Sequence, residues 1–122
     1  MSEKQIENAI LDYLNLIGFF AFKVKDQAQF INGSYRKPGR HCVRGVSDII
    51  AVKNGKVLFI EVKTDTGRQS EHQKEFERCI QNTGGGYYVV RSLGECEILI
   101  ESLDLARHQR ITKLEQNQGY IY

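Results

Sequence analysis
The chain has 122 residues, with 17 Lys and Arg against 15 Asp and Glu, for a formal net charge of +2. With 41% hydrophobic and 26% charged residues it has ordinary globular composition and the length of a single domain, residues 1–122, around one core. No run nears the ~20 apolar residues of a membrane span, the polar start Met1–Gln5 does not read as a signal peptide, and Cys42, Cys79 and Cys96, in no zinc-knuckle spacing, read as reduced, buried thiols of a cytoplasmic protein.

Ile6, Ile10, Tyr13, Leu14 and Ile17 form the stripe of an amphipathic helix over residues 3–17, with Gly18 as its C-terminal glycine. Residues 19–25 are aromatic-rich and read as a strand. Residues 26–45, holding Asn32-Gly33-Ser34 and Pro38-Gly39, read as an irregular loop. Two Val/Ile/Phe-rich strands, 46–53 and 56–63, flank Asn54-Gly55, the signature of a type I′ hairpin turn. Ser70-Glu71-His72-Gln73 has the form of a capping box and opens a helix over about residues 71–82, with Phe76, Cys79 and Ile80 inward. Gly84-Gly85-Gly86 stops it, residues 87–91 form a further strand, and Ser92-Leu93-Gly94-Glu95 begins a last helix towards Arg107. The order αβββαβα describes an α/β sheet with helices packed on it.

Charge is unevenly spread. No acid lies between Asp26 and Asp48, where Arg36, Lys37, Arg40 and Arg44 fall, whereas acids dominate from Glu95 onward. A chain polarised in this way can bind a polyanion on one side. The four basic residues are read as contacts to nucleic-acid phosphates, against the plainer reading of a solvated loop. Tyr35 could stack on a base, though an ordinary loop role is the simpler reading. His41 beside Cys42 lacks the further ligands of a metal site, and His72 reads as a surface helix residue.

The hairpin carries the informative anomaly. A two-residue turn pairs Lys53 with Lys56, and the same register sets Asp48 opposite Glu61 and Val46 opposite Lys63. Alternation then places Asp48, Glu61 and Lys63 on one face. Two carboxylates opposed on otherwise apolar strands repel and resist burial unless a cation compensates them. Hard carboxylate oxygens suit Mg²⁺ or Mn²⁺. The competing reading is a wet sheet face with surface ion pairs; the apolar Val46, Ile50, Val52, Val57 and Phe59 on the same face speak against it.

Asp48 followed after twelve residues by Glu61-Val62-Lys63 resembles the PD-(D/E)xK nuclease superfamily. Gly45-Val46-Ser47-Asp48, the Glu-x-Lys strand, Gly67-x-x-Ser70-x-x-Gln73 and Gly86-Tyr-Tyr-Val-Val are together similar to the VRR-NUC (virus-type replication-repair nuclease) family, over roughly residues 3–92. Ser47 departs from the proline usual before the aspartate. The resemblance implies a restriction-endonuclease-like αβββαβ core, a mixed sheet flanked by helices, and a phosphodiesterase acting on DNA with Mg²⁺ or Mn²⁺. It implies metal ligation by Asp48, Glu61 and the Val62 carbonyl, with Glu7 of the first helix completing the set. Lys63 would handle the attacking water or the phosphate charge, and Gln73 matches the family glutamine. Glu7 could also be a helix N-terminal acid, and Gln73 a capping partner only. The expected protein is a homodimeric endonuclease for branched or junction DNA, of phage or bacterial origin, working in the cytoplasm of a bacterial cell or phage-infected host. Tyr120-Ile121-Tyr122 is a candidate interface element. The alternatives are a restriction-like duplex endonuclease, a DNA-binding module without turnover, and an interaction protein.

Overall fold
The computed structural model describes residues 1–24, 29–31, 34–36 and 43–104. The chain divides into two compact units, Met1–Ser92 and Leu93–Tyr122.

The first unit opens with helix α1 (Glu3–Leu16). Its N-terminus is closed by a reciprocal pair of bonds: the Gln5 N–H donates to Ser2 Oγ at 3.1 Å and the Ser2 N–H to Gln5 Oε1 at 2.8 Å. Its C-terminus ends at Gly18, whose φ of 101° lets the Gly18 and Phe19 N–H groups bond back to the Asn15 and Leu14 carbonyls. The buried stripe is Ile6, Ile10 and Leu14, and the helix packs on strands β1 (Phe20–Lys23), β4 (Ile49–Lys53) and β5 (Lys56–Val62).

The segment expected to be an irregular loop instead contains strands β2 (Gln29–Ile31) and β3 (Ser34–Arg36), paired antiparallel across Asn32-Gly33. Lys37, Arg40, His41 and Cys42 lie outside the described residues, as do residues 105–122 with Tyr120-Ile121-Tyr122.

The main sheet has the order β1-β4-β5-β6, with β6 spanning Gly86–Val90. The first two pairings are antiparallel and the last is parallel, so the sheet is mixed. Asn54 (φ 52°) and Gly55 (φ 77°) both adopt the left-handed region that a type I′ turn requires. The ladder runs in the expected register from Lys53↔Lys56 to Ile49↔Ile60. It ends there, so β4 begins three residues later than expected, and Val46 has no ladder partner in it. Lys63 bonds instead to β6, its N–H donating to the Val90 carbonyl.

Period-two alternation sorts the sheet. Ile49, Ala51, Ile60 and Val62 are fully buried on one face. On the other, helix α2 (Glu71–Asn82) sets Phe76 edge-on to Phe59 of β5 and Tyr87 of β6, with ring centroids 5.5 and 6.0 Å apart. Phe76 is the buried residue of α2, Ile80 is half-buried, and Cys79 is exposed rather than inward. The helix is anchored near its N-terminal half, and Cys79 is turned away from the sheet. In the second unit, residues 93–104 are helical, with Cys96 and Ile100 buried one turn apart. Burial pushes the Cys96 thiol up to about 11. Cys79 and Cys96 are both free thiols.

Candidate active site at one end of the sheet
Lys23 ends β1, Asp48 precedes β4, Glu61 and Val62 end β5 and Lys63 follows it, so the register gathers these residues at one end of the sheet. The Asp48 carbonyl accepts from the Val24 N–H at 2.9 Å, and its carboxylate Oδ2 accepts from the Val62 N–H at 2.8 Å. Asp48 is thereby tied to both neighbouring strands. Ser47 is fully buried, its hydroxyl donating to the Ile49 carbonyl at 3.1 Å. That bond satisfies the serine where the related pattern has proline.

Gly45 explains the turn into this segment. Its φ is 77°, and a Cβ there would lie 2.3 Å from the backbone C and O of His72. The chain leading to Asp48 therefore runs hard against the first turn of α2, where only glycine fits.

Glu61 is fully buried. Its Oε1 accepts from Gln73 Nε2 at 3.0 Å and has Lys63 Nζ at 3.8 Å, while Oε2 accepts from the Tyr87 hydroxyl at 3.4 Å. Desolvation, together with Asp48 at hydrogen-bonding range, raises its pKa to about 9, against the lowering effects of Lys63 and Tyr87. Burial favours the neutral acid, and a second carboxyl beside it makes two negative charges costlier still. Glu61 therefore keeps a proton at neutral pH that a cation could replace.

Gln73 caps α2 and contacts Glu61 at once. Its Oε1 accepts from the Ser70 N–H at 2.8 Å, its own N–H donates to Ser70 Oγ at 3.2 Å, and its Nε2 still reaches Glu61. The capping box thus aims the amide.

Glu7 is tucked in, its side chain 15% exposed, and pairs with Lys23 Nζ at 3.4 Å. Its pKa is raised by burial and by the charge of Asp48, and lowered by Lys23. Glu7 thus senses Asp48 while engaged by a lysine, and among the described residues no three His, Cys, Asp or Glu side chains form a group that could hold a metal ion. Asp48 and Glu61, two hard oxygen donors side by side, nonetheless fit a divalent cation as their counter-charge. Arg44 is exposed; Arg36 ends β3.

Sequence reasoning missed Tyr87, Gln69, Lys23 and Arg91. Arg91 Nη1 donates to the carbonyls of Thr64 and Gly67, at 2.5 and 2.8 Å, and so braces the turn that follows Lys63. Tyr87 falls within the Gly86-Tyr-Tyr-Val-Val motif, but its alignment with Glu61 depends on the parallel pairing of β6.

No protein-family model matches the sequence, and a search of curated proteins finds no match. Among solved structures, one described as "VRR_NUC domain" superposes with a TM-score of 0.61 at 20% identity, covering 81% of this chain and 94% of that one. The chain has the fold of a VRR_NUC domain. The α/β, restriction-endonuclease-like architecture expected from the sequence is accordingly the observed one, a four-stranded mixed sheet with flanking helices. In this VRR_NUC fold the two strands of the Asn54-Gly55 hairpin bring Asp48 and Glu61 together, and α2 closes over Glu61 through Gln73.

Proposed function
We propose that the protein is a metal-dependent DNA endonuclease that hydrolyses phosphodiester bonds. The observation that carries this reading is Glu61: a fully buried carboxyl group beside Asp48, with Lys63 Nζ 3.8 Å away, on a VRR_NUC fold. A carboxyl pair serving only stability would be a poor design, since apolar residues of similar volume do as well or better. The DNA-handling role of Arg36, Lys37, Arg40 and Arg44 belongs to this proposal, as does action in the cytoplasm of a bacterial or phage-infected cell.

Asp48 and Glu61 would hold Mg²⁺ or Mn²⁺, with the Val62 carbonyl, and with Glu7 once released from Lys23. Such an ion lowers the pKa of bound water and offsets charge building on the phosphate. The chain's own residues set the stage. The Val62 N–H holds Asp48, and Gln73 Nε2 holds Glu61, so neither carboxylate must reorganise during reaction. The Lys63 side chain, 12% exposed beside Glu61, can present its ammonium to a phosphate oxygen or hold the attacking water. The rigid turn braced by Arg91 fixes the backbone from which Lys63 projects.

One such site cuts one strand, so we propose a homodimer acting on branched or junction DNA. The test is cleavage of labelled duplex, single-stranded, flap and four-way-junction DNA with Mn²⁺ or Mg²⁺, comparing the native protein with Glu61→Ala and Lys63→Ala. Metal-dependent cutting lost in both variants supports the proposal, and the substrate ranking selects the DNA structure. Binding without cutting by the native protein would make it a DNA-binding module. Equal cutting by all three would place the activity elsewhere.

A further inference from the structure
We propose that Tyr87, held by Gln69, is a positioning residue that fixes the Glu61 carboxylate for cation binding. The parallel pairing of β5 and β6 sets Tyr87 beside Phe59, and therefore on the Glu61 face of the sheet. Its ring lies edge-on to Phe76, and the residue is 5% exposed. Gln69 Nε2 lies 3.2 Å from the Tyr87 hydroxyl, and the hydroxyl oxygen lies 3.4 Å from Glu61 Oε2. A hydroxyl has one proton to give. Since the Gln69 amide can only donate, the hydroxyl accepts from it and directs its own proton to Glu61. The chain Gln69 to Tyr87 to Glu61 therefore has one polarity.

Glu61 is gripped on both oxygens by different elements: Oε1 by Gln73 of α2, Oε2 by Tyr87 of β6. A buried carboxylate held at both oxygens cannot rotate about its terminal bond, which leaves its free lone pairs in a fixed direction. Gln69 is set in turn by Glu77, whose Oε1 lies 3.4 Å from the same Nε2. Residues that orient a metal-ligating group commonly change metal affinity 10- to 100-fold when removed.

This inference rests on the nuclease reading, and its test separates the two. Mn²⁺ binding is measured by calorimetry on the native protein, Tyr87→Phe, Gln69→Ala, the double variant and Tyr88→Phe, with circular dichroism to establish that each is folded. Tyr87→Phe keeps the ring against Phe76 and removes only the hydroxyl. Tyr88 pairs with Ile60, on the opposite face, and controls for loosening of β6. The expected result is a Kd raised about tenfold in Tyr87→Phe, a smaller rise in Gln69→Ala, and a double variant no weaker than Tyr87→Phe, because both act through one bond. Tyr88→Phe should bind as the native protein does. An unchanged Kd in Tyr87→Phe, or an equal loss in Tyr88→Phe, overturns the positioning role while the nuclease reading stands. A native protein that binds no Mn²⁺ and cuts no DNA overturns both.

Discussion

Replacing Glu61 by glutamine should make the metal-free protein more stable at alkaline pH while abolishing its metal response. The folded-state pKa of Glu61 lies at about 9, against 4.5 for the free side chain. Between those values the folded chain keeps a proton that the unfolded chain releases, so the unfolded state binds fewer protons and stability falls as pH rises. The group's contribution is fully present below about pH 4.5 and is lost progressively up to about pH 9. The limiting slope for one proton is about 1.4 kcal/mol per pH unit, or on the order of 4 kcal/mol between pH 5 and pH 8. That is a large share of the ~5–15 kcal/mol that holds a domain of this kind together. Glutamine retains the volume of the side chain and an oxygen for Gln73 Nε2, but it does not titrate. Urea unfolding with a chelator present, at pH 5, 6.5 and 8, gives the comparison. The native midpoint should fall with pH much more steeply than that of Glu61→Gln, and added Mn²⁺ should raise the native midpoint alone. Parallel pH dependences would mean that Glu61 is ionised in the folded protein, and the account of a buried, protonated Glu61 would be wrong.

Gly45→Ala should cost about 1–3 kcal/mol, because the left-handed backbone and the abutting His72 carbonyl both oppose a Cβ; chemical denaturation measures it. Ser70→Ala should cost about 1 kcal/mol through the lost cap yet leave cleavage nearly intact, whereas Gln73→Ala should lose comparable stability and most cleavage, since it also releases Glu61; equal kinetics in the two would deny Gln73 its site role. Arg91→Ala should speed amide exchange over residues 64–67 and reduce turnover, and unchanged exchange there would show the turn to be rigid without its brace. Charge reversal at Arg36 and Lys37 should weaken DNA binding and flatten its salt dependence by about one to two phosphate contacts, and an unchanged slope would remove this segment from the interface.

Local rules in the sequence were enough to define most elements. Asn54-Gly55 imposed its turn and register through the backbone alone, and Ser70 with Gln73 started α2 at the expected residue, because such effects reach only a few residues along the chain. The same rule was available at Asn32-Gly33, but its three-residue strands offered too little apolar alternation to outweigh the surrounding polar residues, and the segment read as a loop. Opposed acids on an apolar hairpin were legible as an anomaly without any fold.

What the tertiary structure alone decided is how that anomaly is resolved. Glu61 became fully buried only when α2 docked across its face and β6 paired in parallel beside it. Those contacts join residues far apart in sequence, and it is they that bring Gln73, Tyr87 and Gln69 to the carboxylate. Glu7 likewise met Lys23 through packing of α1, an ion pair that no spacing along the chain implies. Periodicity says which side of an element is apolar; it does not say which element will cover it, and burial, which sets the charge state of Glu61, follows from the cover.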